Sequence, residues 1–406
     1  MKIDTFISDH VTFRKESLLK SDYEKLQTML STRLNDKSVL VIGGAGTIGS
    51  SYVKAILKFK IQKLVVVDIN EHSLTELKRD LRSSKEYHRP DEFITYQINF
   101  NDRVFEDIFL YQGPFDIVAN FAQLKHLANE NDLLSVETII ENNIFRTRKL
   151  LEILYETPPK HFFCISPAMR VNPFSIMSAG NKLMEDLIMA YSDRLPIITA
   201  RLANVAFSNG SLLSGFLERF NKKQHLTCPI GVSRSYISPK ESGEFCLIAT
   251  IMGESGDIFF PELDELGGSI TFDQIAIDLI RSHGFEPDVC HSAMEAKRKA
   301  LMLNDQSAAY PVYFFETDTS SEKAINEFYT EKERLDNDSF INIGVIKNSK
   351  KRSIEEIDEI IDQLRELFES QNVSISEIIE VLKDYLPNIK NIEPEKGCVI
   401  PNKIIN

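Results

Sequence analysis

The sequence predicts an α/β protein built on a doubly wound parallel sheet, with a smaller C-terminal substrate region and helical extensions at both ends. Three observations carry that expectation. Short apolar runs alternate with helix-length segments from Ser38 to about Ala206. The first run enters a glycine-rich turn, Gly43-Gly-Ala-Gly-Thr-Ile-Gly49, and an amphipathic segment follows, Tyr52-Val-Lys-Ala-Ile-Leu-Lys-Phe59. A second run, Lys63-Leu-Val-Val-Val67, stops at an acid, Asp68. Strands alternating with helices build a parallel sheet, because each parallel crossover needs a helix to return the chain.

Residues 1–37 are polar and helix-forming, with Leu18, Leu19, Tyr23, Leu26, Met29 and Leu30 on a rough helical stripe. They are expected as an extension packed on the core or on a partner subunit. Residues 38–206 form the first domain, with strands expected at Val39–Ile42, Leu64–Val67, Phe93–Ile98, Ile117–Asn120, His161–Ile165 and Ile197–Ala200. Stretches between them, such as Leu133–Tyr155, have helical length and period. Beyond Arg201 the elements shorten, Pro and Gly become more frequent, and apolar runs at 256–261 and Ile270–Ile280 suggest a small mixed domain over 207–350. The tail over 351–406 opens with charged amphipathic helices at Arg352–Ser370 and Ser374–Tyr385, the second starting at a good N-cap serine.

Bulk properties narrow the function classes. A chain of 406 residues exceeds one typical domain. A formal charge of −13 disfavours nucleic-acid binding, which needs a basic surface. No apolar run is long enough for a membrane helix and the N-terminus lacks a signal-peptide core, so no membrane insertion and a cytoplasmic location are expected. The cysteines Cys164, Cys228, Cys246, Cys290 and Cys398 are scattered without a paired spacing, and the histidines show no chelating pattern. Reduced thiols and no metal site are the expectation.

The glycine turn points to a ligand. A turn this tight lets the backbone approach a pyrophosphate, while the following helix offers its N-terminal N–H groups and positive dipole end. Asp68 falls about 20 residues on, where an acid would bind an adenosine ribose. The candidate cofactor residues are therefore Gly43, Gly46, Thr47, Ile48, Gly49 and Asp68. A turn kept only for packing is the alternative.

Further segments make the sequence resemble a known family. They are Asp68-Ile-Asn-Glu-His-Ser-Leu74, Asn120-Phe-Ala-Gln-Leu-Lys-His126, Val171-Asn-Pro173, Leu183-Met-Glu185, Ala200-Arg-Leu-Ala-Asn-Val205 and Ser238-Pro-Lys-Glu-Ser-Gly243. With the glycine turn, they resemble the extended short-chain dehydrogenase/reductase superfamily, whose cofactor domain is Rossmann-like. Within it the resemblance is to the polysaccharide-biosynthesis branch typified by UDP-N-acetylglucosamine 4,6-dehydratases. It extends over nearly the whole chain, with Tyr310–Phe315 and Ile343–Ile346 matching the branch's C-terminal region. Such enzymes remove hydride from sugar C4, eliminate water across C5–C6 and return hydride to C6. The nicotinamide carries the redox step, and the protein supplies orientation and an acid–base pair.

The resemblance implies a Ser-Thr-Asp-Lys segment after a strand and, on the next helix, a lysine that also holds the nicotinamide ribose. Aligned without gaps, this chain has Ser166-Pro-Ala-Met169 there, so Pro167, Ala168 and Met169 replace the groups that move protons. In the same register Asn181 takes the place of the ribose-binding lysine. A shift of one residue would bring Lys182 to the right spacing, but it needs a bulge and turns the side chain by about 100° around the helix. Activity is therefore expected to be weakened or altered.

Lys125 and His126 follow the fourth strand at the edge where ligands of open sheets bind, and are proton-transfer candidates or a solvated loop pair. By resemblance, Asn99 lies near the adenine, Asn143 steadies the active-site strand, and Asn204 and Arg234 bind the nucleotide diphosphate. Arg234 alternatively pairs with a local carboxylate. Asp68 favours NAD, with NADP as the alternative, and the resemblance implies a UDP-sugar as ligand. A homo-oligomer is expected, in part from the apolar stripes of the terminal extensions. The alternatives in function are a catalytically silent subunit partnering an active paralogue, and an epimerase or reductase using Lys125, His126 or Lys182.

Overall fold

A computed structural model of the protein describes residues 2–124, 132–166, 175–263, 269–316, 328–347, 349, 351–370 and 373–386. Packing divides the chain into two units. The larger holds Ser21–Leu202, Gly243–Pro261 and Glu327–Asn406, and the smaller holds Met1–Lys20, Ala203–Ser242 and Glu262–Asn326. This division runs differently from the boundaries expected at 37, 206 and 350. The chain leaves the larger unit close to the change of texture beyond Arg201, but comes back to it at 243–261 and from 327 on, returns that no local composition change announces.

The larger unit is organised by a sheet of β1 (Ser38–Ile42), β2 (Lys63–Asp68), β3 (Glu92–Gln97), β4 (Ile117–Asn120), β5 (His161–Ser166), β6 (Ile197–Arg201), β7 (Ile258–Pro261), β8 (Arg334–Asp336) and β9 (Ile343–Lys347). Their order is β8-β9-β7-β6-β5-β4-β1-β2-β3. From β3 to β7 every pairing is parallel. The late strand β9 closes antiparallel on β7 and β8 on β9. All six strands expected from the alternation are present, each within a residue or so of its expected bounds. The α/β class follows. The run at 256–261, expected in the small domain, instead pairs with β6 in the large sheet.

Side chains alternate across the strands, so each strand feeds two cores. Leu40, Ile42, Val65, Val67, Val118, Phe162 and Cys164 face one helical layer. That layer includes the helices Arg103–Gln112, Leu133–Ile140, Arg146–Glu156 and Ile176–Ala190. Near-continuous Val, Ile and Leu is what a sheet covered on both faces requires.

The C-terminal helices join this same layer. Ile354–Glu369 and Ile375–Tyr385 each begin with a capping box, Ser353 with Glu356 and Ser374 with Glu377. Their buried stripes, including Ile357, Ile361, Leu364, Ile378 and Leu382, belong to the core built on Leu40 and Leu183. Arg148 ties the first of them down through Asp358, with Nε–Oδ1 at 2.9 Å. The C-terminal stripe read as interface material is thus covered by the chain's own helices. It gives no support to the expected oligomer.

The N-terminal extension is two elements. Helix Lys20–Leu34 buries Leu26, Leu30 and Leu34 in the larger unit, where the buried Asp22 carboxylate accepts the Ile341 and Asn342 N–H groups at 2.7 and 2.9 Å. Residues 3–11, a short helix running into a π-helical turn, place Phe6, Ile7 and Val11 in the core of the smaller unit. That unit has a parallel sheet of Leu226–Pro229, Ala309–Phe315 and Glu286–Cys290, with Ala309–Phe315 in the centre. Arg14 grips Glu241 there with two hydrogen bonds, 3.0 and 2.9 Å, and donates a third to the Tyr236 carbonyl. Burial opposes the charge of Glu241, but Arg14 and the N–H groups of Leu18 and Ser238 hold its carboxyl below the usual range.

Candidate functional site

In the sheet order the connections reverse direction between β1 and β4, and ligands of open α/β sheets bind at the carboxyl ends of such strands. A cavity of about 200 Å³ opens there. Its walls include Ile42 and Gly43 from the end of β1, Gly46 from the turn, Asp68 from the end of β2 and Asn99 beyond β3.

The glycines of the turn have separate tasks. Gly43 has φ +70°, and a Cβ on it would stand 2.6 Å from the Ala122 amide nitrogen. Gly49 lets the helix Thr47–Ile56 sit on the turn, since a Cβ there would lie 2.2 Å from the Gly43 carbonyl oxygen. Gly46 differs. Its nearest protein atom to an added Cβ is 3.6 Å away, so a side chain would enter the cavity rather than the protein. Gly46 is also the N-cap of Thr47–Ile56 and offers no side-chain acceptor to that helix's first N–H groups. An anion at this spot meets the backbone N–H groups of the helix's first turn and the positive end of the helix dipole. The residues therefore fit a dinucleotide pyrophosphate.

Asp68 is fixed beside the turn. Its Oδ2 accepts the Ala45 N–H at 2.9 Å and its Oδ1 accepts the Asn70 N–H at 3.0 Å. Asn99 Oδ1 accepts the Asn101 N–H at 3.1 Å, which leaves the carboxamide nitrogen as a donor. Thr47 and Ile48 open the helix, Thr47 half-buried and Ile48 in the core.

Side-chain amides fix the chain leaving β4. Asn120 Oδ1 accepts the Ala122 N–H at 3.0 Å, and Gln123 donates to the Ile165 carbonyl. Asn143 bonds both ways with Leu124, accepting its N–H and donating to its carbonyl, each at 2.9 Å. Asn143 lies in a π-helical turn, Glu141–Phe145, set between two α-helical stretches. The wider turn serves two tasks, because Asn142 within it and Arg146, the next residue after it, line the cavity. Lys125 and His126, the next residues in the chain, lie outside the described residues, as do Pro167, Ala168 and Met169.

On the helix Ile176–Ala190, Asn181 is half-buried and its carboxamide has no hydrogen-bond partner among the described residues. Lys182 is otherwise engaged: its ammonium lies 3.0 Å from Glu185 Oε1 and 2.8 Å from Asp186 Oδ1. Burial works against its charge, but Glu185 and Asp186 outweigh that and raise its pKa. The ammonium that a shifted register would bring to a ribose is held by two carboxylates.

Glu185 is the centre of a buried network that sequence reasoning did not find. Arg201, at the end of β6, forks onto it at 2.7 and 2.9 Å, and the Ser166 hydroxyl at the end of β5 donates to it at 3.1 Å. Arg201 also reaches Glu333 at 3.0 Å and donates to the Phe328 carbonyl at 2.5 Å. Burial disfavours the Glu185 charge, but Lys182 and Arg201 hold its carboxyl well below the ordinary range. Glu185 and Arg201 both fall in segments that carry the family resemblance, yet nothing local in the sequence says that they meet.

In the smaller unit, Asn204–Val205 pairs in parallel with Tyr236–Ile237, and Asn204 Nδ2 donates to the Ser235 carbonyl at 3.4 Å. Arg234 belongs to a short antiparallel pairing with Ile270 and lies 6.0 Å from the Phe272 ring. Asn204 thus bonds the residue that follows Arg234 in the chain. Among the described residues no group of His, Cys, Asp and Glu is placed to hold a metal ion, and no helix is long and apolar enough to cross a membrane. Cys164, Cys228, Cys246 and Cys290 form no disulfide, and burial pushes the Cys164 thiol up to about 12.

A family model described as polysaccharide biosynthesis protein matches residues 39–304. An uncharacterized membrane protein of Methanocaldococcus jannaschii is 28% identical, over 68% of this chain and 82% of its own length. The capsular polysaccharide biosynthesis protein CapD of Staphylococcus aureus is 26% identical over 66% of this chain. That match spans only 45% of CapD, so this chain corresponds to less than half of that longer relative. A UDP-N-acetylglucosamine 4,6-dehydratase (inverting) of Campylobacter jejuni is 24% identical over 67% of this chain and 79% of its own. Among solved structures, Pen from Bacillus thuringiensis superposes with a TM-score of 0.58 at 19% identity, over 79% of this chain and 90% of that one. The dTDP-glucose 4,6-dehydratase DesIV of Streptomyces venezuelae, solved with NAD bound, gives 0.50 at 16% identity, over 72% and 92%.

Proposed function

The chain belongs to the polysaccharide biosynthesis protein family, and from that premise we propose that it binds NAD and a UDP-N-acetylhexosamine as a 4,6-dehydratase-like protein with weakened acid–base chemistry. The observation that carries the reading is the cavity beside Gly46, where an added side chain would meet the ligand before it met the protein. Gly43, Gly46, Thr47, Ile48 and Gly49 cradle the pyrophosphate, Asp68 accepts from the adenosine ribose, and Asn99 donates to the adenine. When bound, the nicotinamide supplies hydride transfer, which no protein side chain can. The names of the Campylobacter and Streptomyces relatives support the substrate class and the cofactor. NAD is preferred to NADP because the Asp68 carboxylate repels a 2′-phosphate. In the smaller unit, Asn204 and Arg234 bind the nucleotide diphosphate, for which a planar guanidinium is well suited.

The weakness of the chemistry rests on residue types. Pro167, Ala168 and Met169 have no group that can take the C4 hydroxyl proton or the C5 proton. Asn181 can hydrogen-bond a ribose but brings no positive charge to lower a neighbouring pKa. Lys182 is committed to Glu185 and Asp186, which leaves Lys125 and His126 as the remaining proton carriers of the reading. Losing one acid–base group typically costs about 10²–10⁴-fold in rate. Incubation with UDP-N-acetylglucosamine in deuterated water, read by mass spectrometry, tests this. The expected result is binding with turnover at least about 10³-fold slower than in an intact relative. Brisk release of a 4-keto-6-deoxy sugar would overturn the proposed weakness, and absence of any UDP-sugar binding would overturn the substrate class.

A further inference from the structure

Arg146 is a basic residue in the wall of the cofactor cavity, contributed from far along the chain and not part of the glycine turn or of its acid. It shares that wall with Asn99 and Asn142. Its place along the cavity follows from its neighbour one helical turn on. Lys149 donates to the Asn101 carbonyl at 3.4 Å and pairs with Glu106 at 2.8 Å, which sets this face of the helix Arg146–Glu156 beside the Asn99–Asn101 turn. Arg146 therefore stands at the Asn99 end, which is the adenine end in the proposed reading.

The guanidinium is only partly engaged by the fold. Nη1 donates to Asn142, and the buried Nε, without a hydrogen-bond partner among the described residues, is ion-paired with Glu141 Oε1 at 3.5 Å. Arg148, two residues on, spends its fork on Asp358, and the buried Arg201 spends its own on Glu185 and Glu333. A planar cation with spare donors, 22% exposed in a cavity wall, matches a flat heteroaromatic ring that offers a π-face and acceptor nitrogens.

We propose that Arg146 contacts the adenine base of the bound dinucleotide and secures the adenosine half of the cofactor. This rests on the NAD reading of the cavity. The adenine ring lies against the guanidinium while Asn99 donates to its edge, so the adenosine half is held by residues from two separate segments.

Calorimetric titration of the full chain with NADH, NADPH and ADP-ribose tests the assignment in wild type, Arg146→Met and Gly46→Val. Methionine keeps the length and apolar bulk of arginine while removing its charge and donors, so the thermal midpoint should hold. NADH and ADP-ribose should both bind Arg146→Met about tenfold more weakly. ADP-ribose affinity unchanged in Arg146→Met, alongside lost binding in Gly46→Val, would overturn the role of Arg146 and leave the cofactor reading standing. A loss confined to NADPH would also overturn it, because that pattern belongs to a 2′-phosphate. Failure of the wild type to bind NADH or ADP-ribose would overturn both.

Discussion

Two glycines three residues apart show how differently one turn can use the same residue type. A Cβ at Gly46 meets no protein atom nearer than 3.6 Å, whereas one at Gly49 would stand 2.2 Å from a backbone oxygen. Gly46→Val should therefore fold with its thermal midpoint nearly unchanged and fail to bind NADH in a fluorescence titration. Gly49→Ala should instead lose stability, by about 1–3 kcal/mol as for other overpacked sites. Undiminished NADH binding by Gly46→Val would end the claim that this turn holds the pyrophosphate. Glu185 makes a prediction about pH. Its carboxyl is held below the range of an unfolded glutamate, about 4.3. The stability it contributes is complete above that range and drains away as pH falls through it. Glu185→Gln leaves the buried Arg201 with only the Glu333 carboxylate, and about 3–5 kcal/mol should be lost at neutral pH. Urea unfolding should then show a shallower decline for the variant than for wild type between about pH 5 and pH 3. Parallel curves would mean that Glu185 does not carry the acid sensitivity.

At the scale of elements, the terminal segments are structural members of the units they join. Ser353 caps Ile354–Glu369 through the Glu356 N–H at 3.1 Å, and Glu356 returns the bond to the Ser353 N–H at 2.8 Å. Ser353→Ala should cost about 1 kcal/mol. Leu364 is fully buried in the core shared with the sheet. Leu364→Ala should cost about 2–5 kcal/mol, and the gap between the two variants in chemical denaturation measures packing against capping. A small effect from Leu364→Ala would mean that the C-terminal helices are not part of the cooperative core. The Arg14–Glu241 pair does the same work for residues 3–20. Removing the arginine strands a buried carboxylate next to the Tyr236–Ile237 strand that pairs with Asn204.

For the whole molecule, burial of the C-terminal stripe shifts the argument about assembly. Ile357, Ile361, Ile378 and Leu382 are spent inside the chain, so they are unavailable to a second copy. The expectation of a dimer or larger rests only on the habit of the superfamily that the sequence resembles. Light scattering at micromolar concentration should report more than one chain's mass, and a single-chain mass would remove that expectation. The legibility of the site divides along the same line. The glycine turn and Asp68 are readable because local rules govern them: a tight turn needs glycine, and a strand end needs an acid at a set spacing; Asn99 is reached only through the family resemblance. Arg146 and the Glu185–Arg201 pair are not readable, because neither has a spacing rule. Each acts through a neighbour brought to it by the sheet.

Sequence alone determined the first six strands of the large sheet, the order of strand and helix there, and the place of the glycine turn, since alternating apolarity and glycine placement are short-range requirements. Only the tertiary structure decided that 256–261 and 343–347 extend the large sheet, that the C-terminal stripe is covered from within, and that Lys182 is bound to carboxylates instead of free. Those outcomes depend on which apolar faces and opposite charges meet across long stretches of chain. A burial preference is the same whichever surface satisfies it, so the pattern along the sequence does not say which partner will.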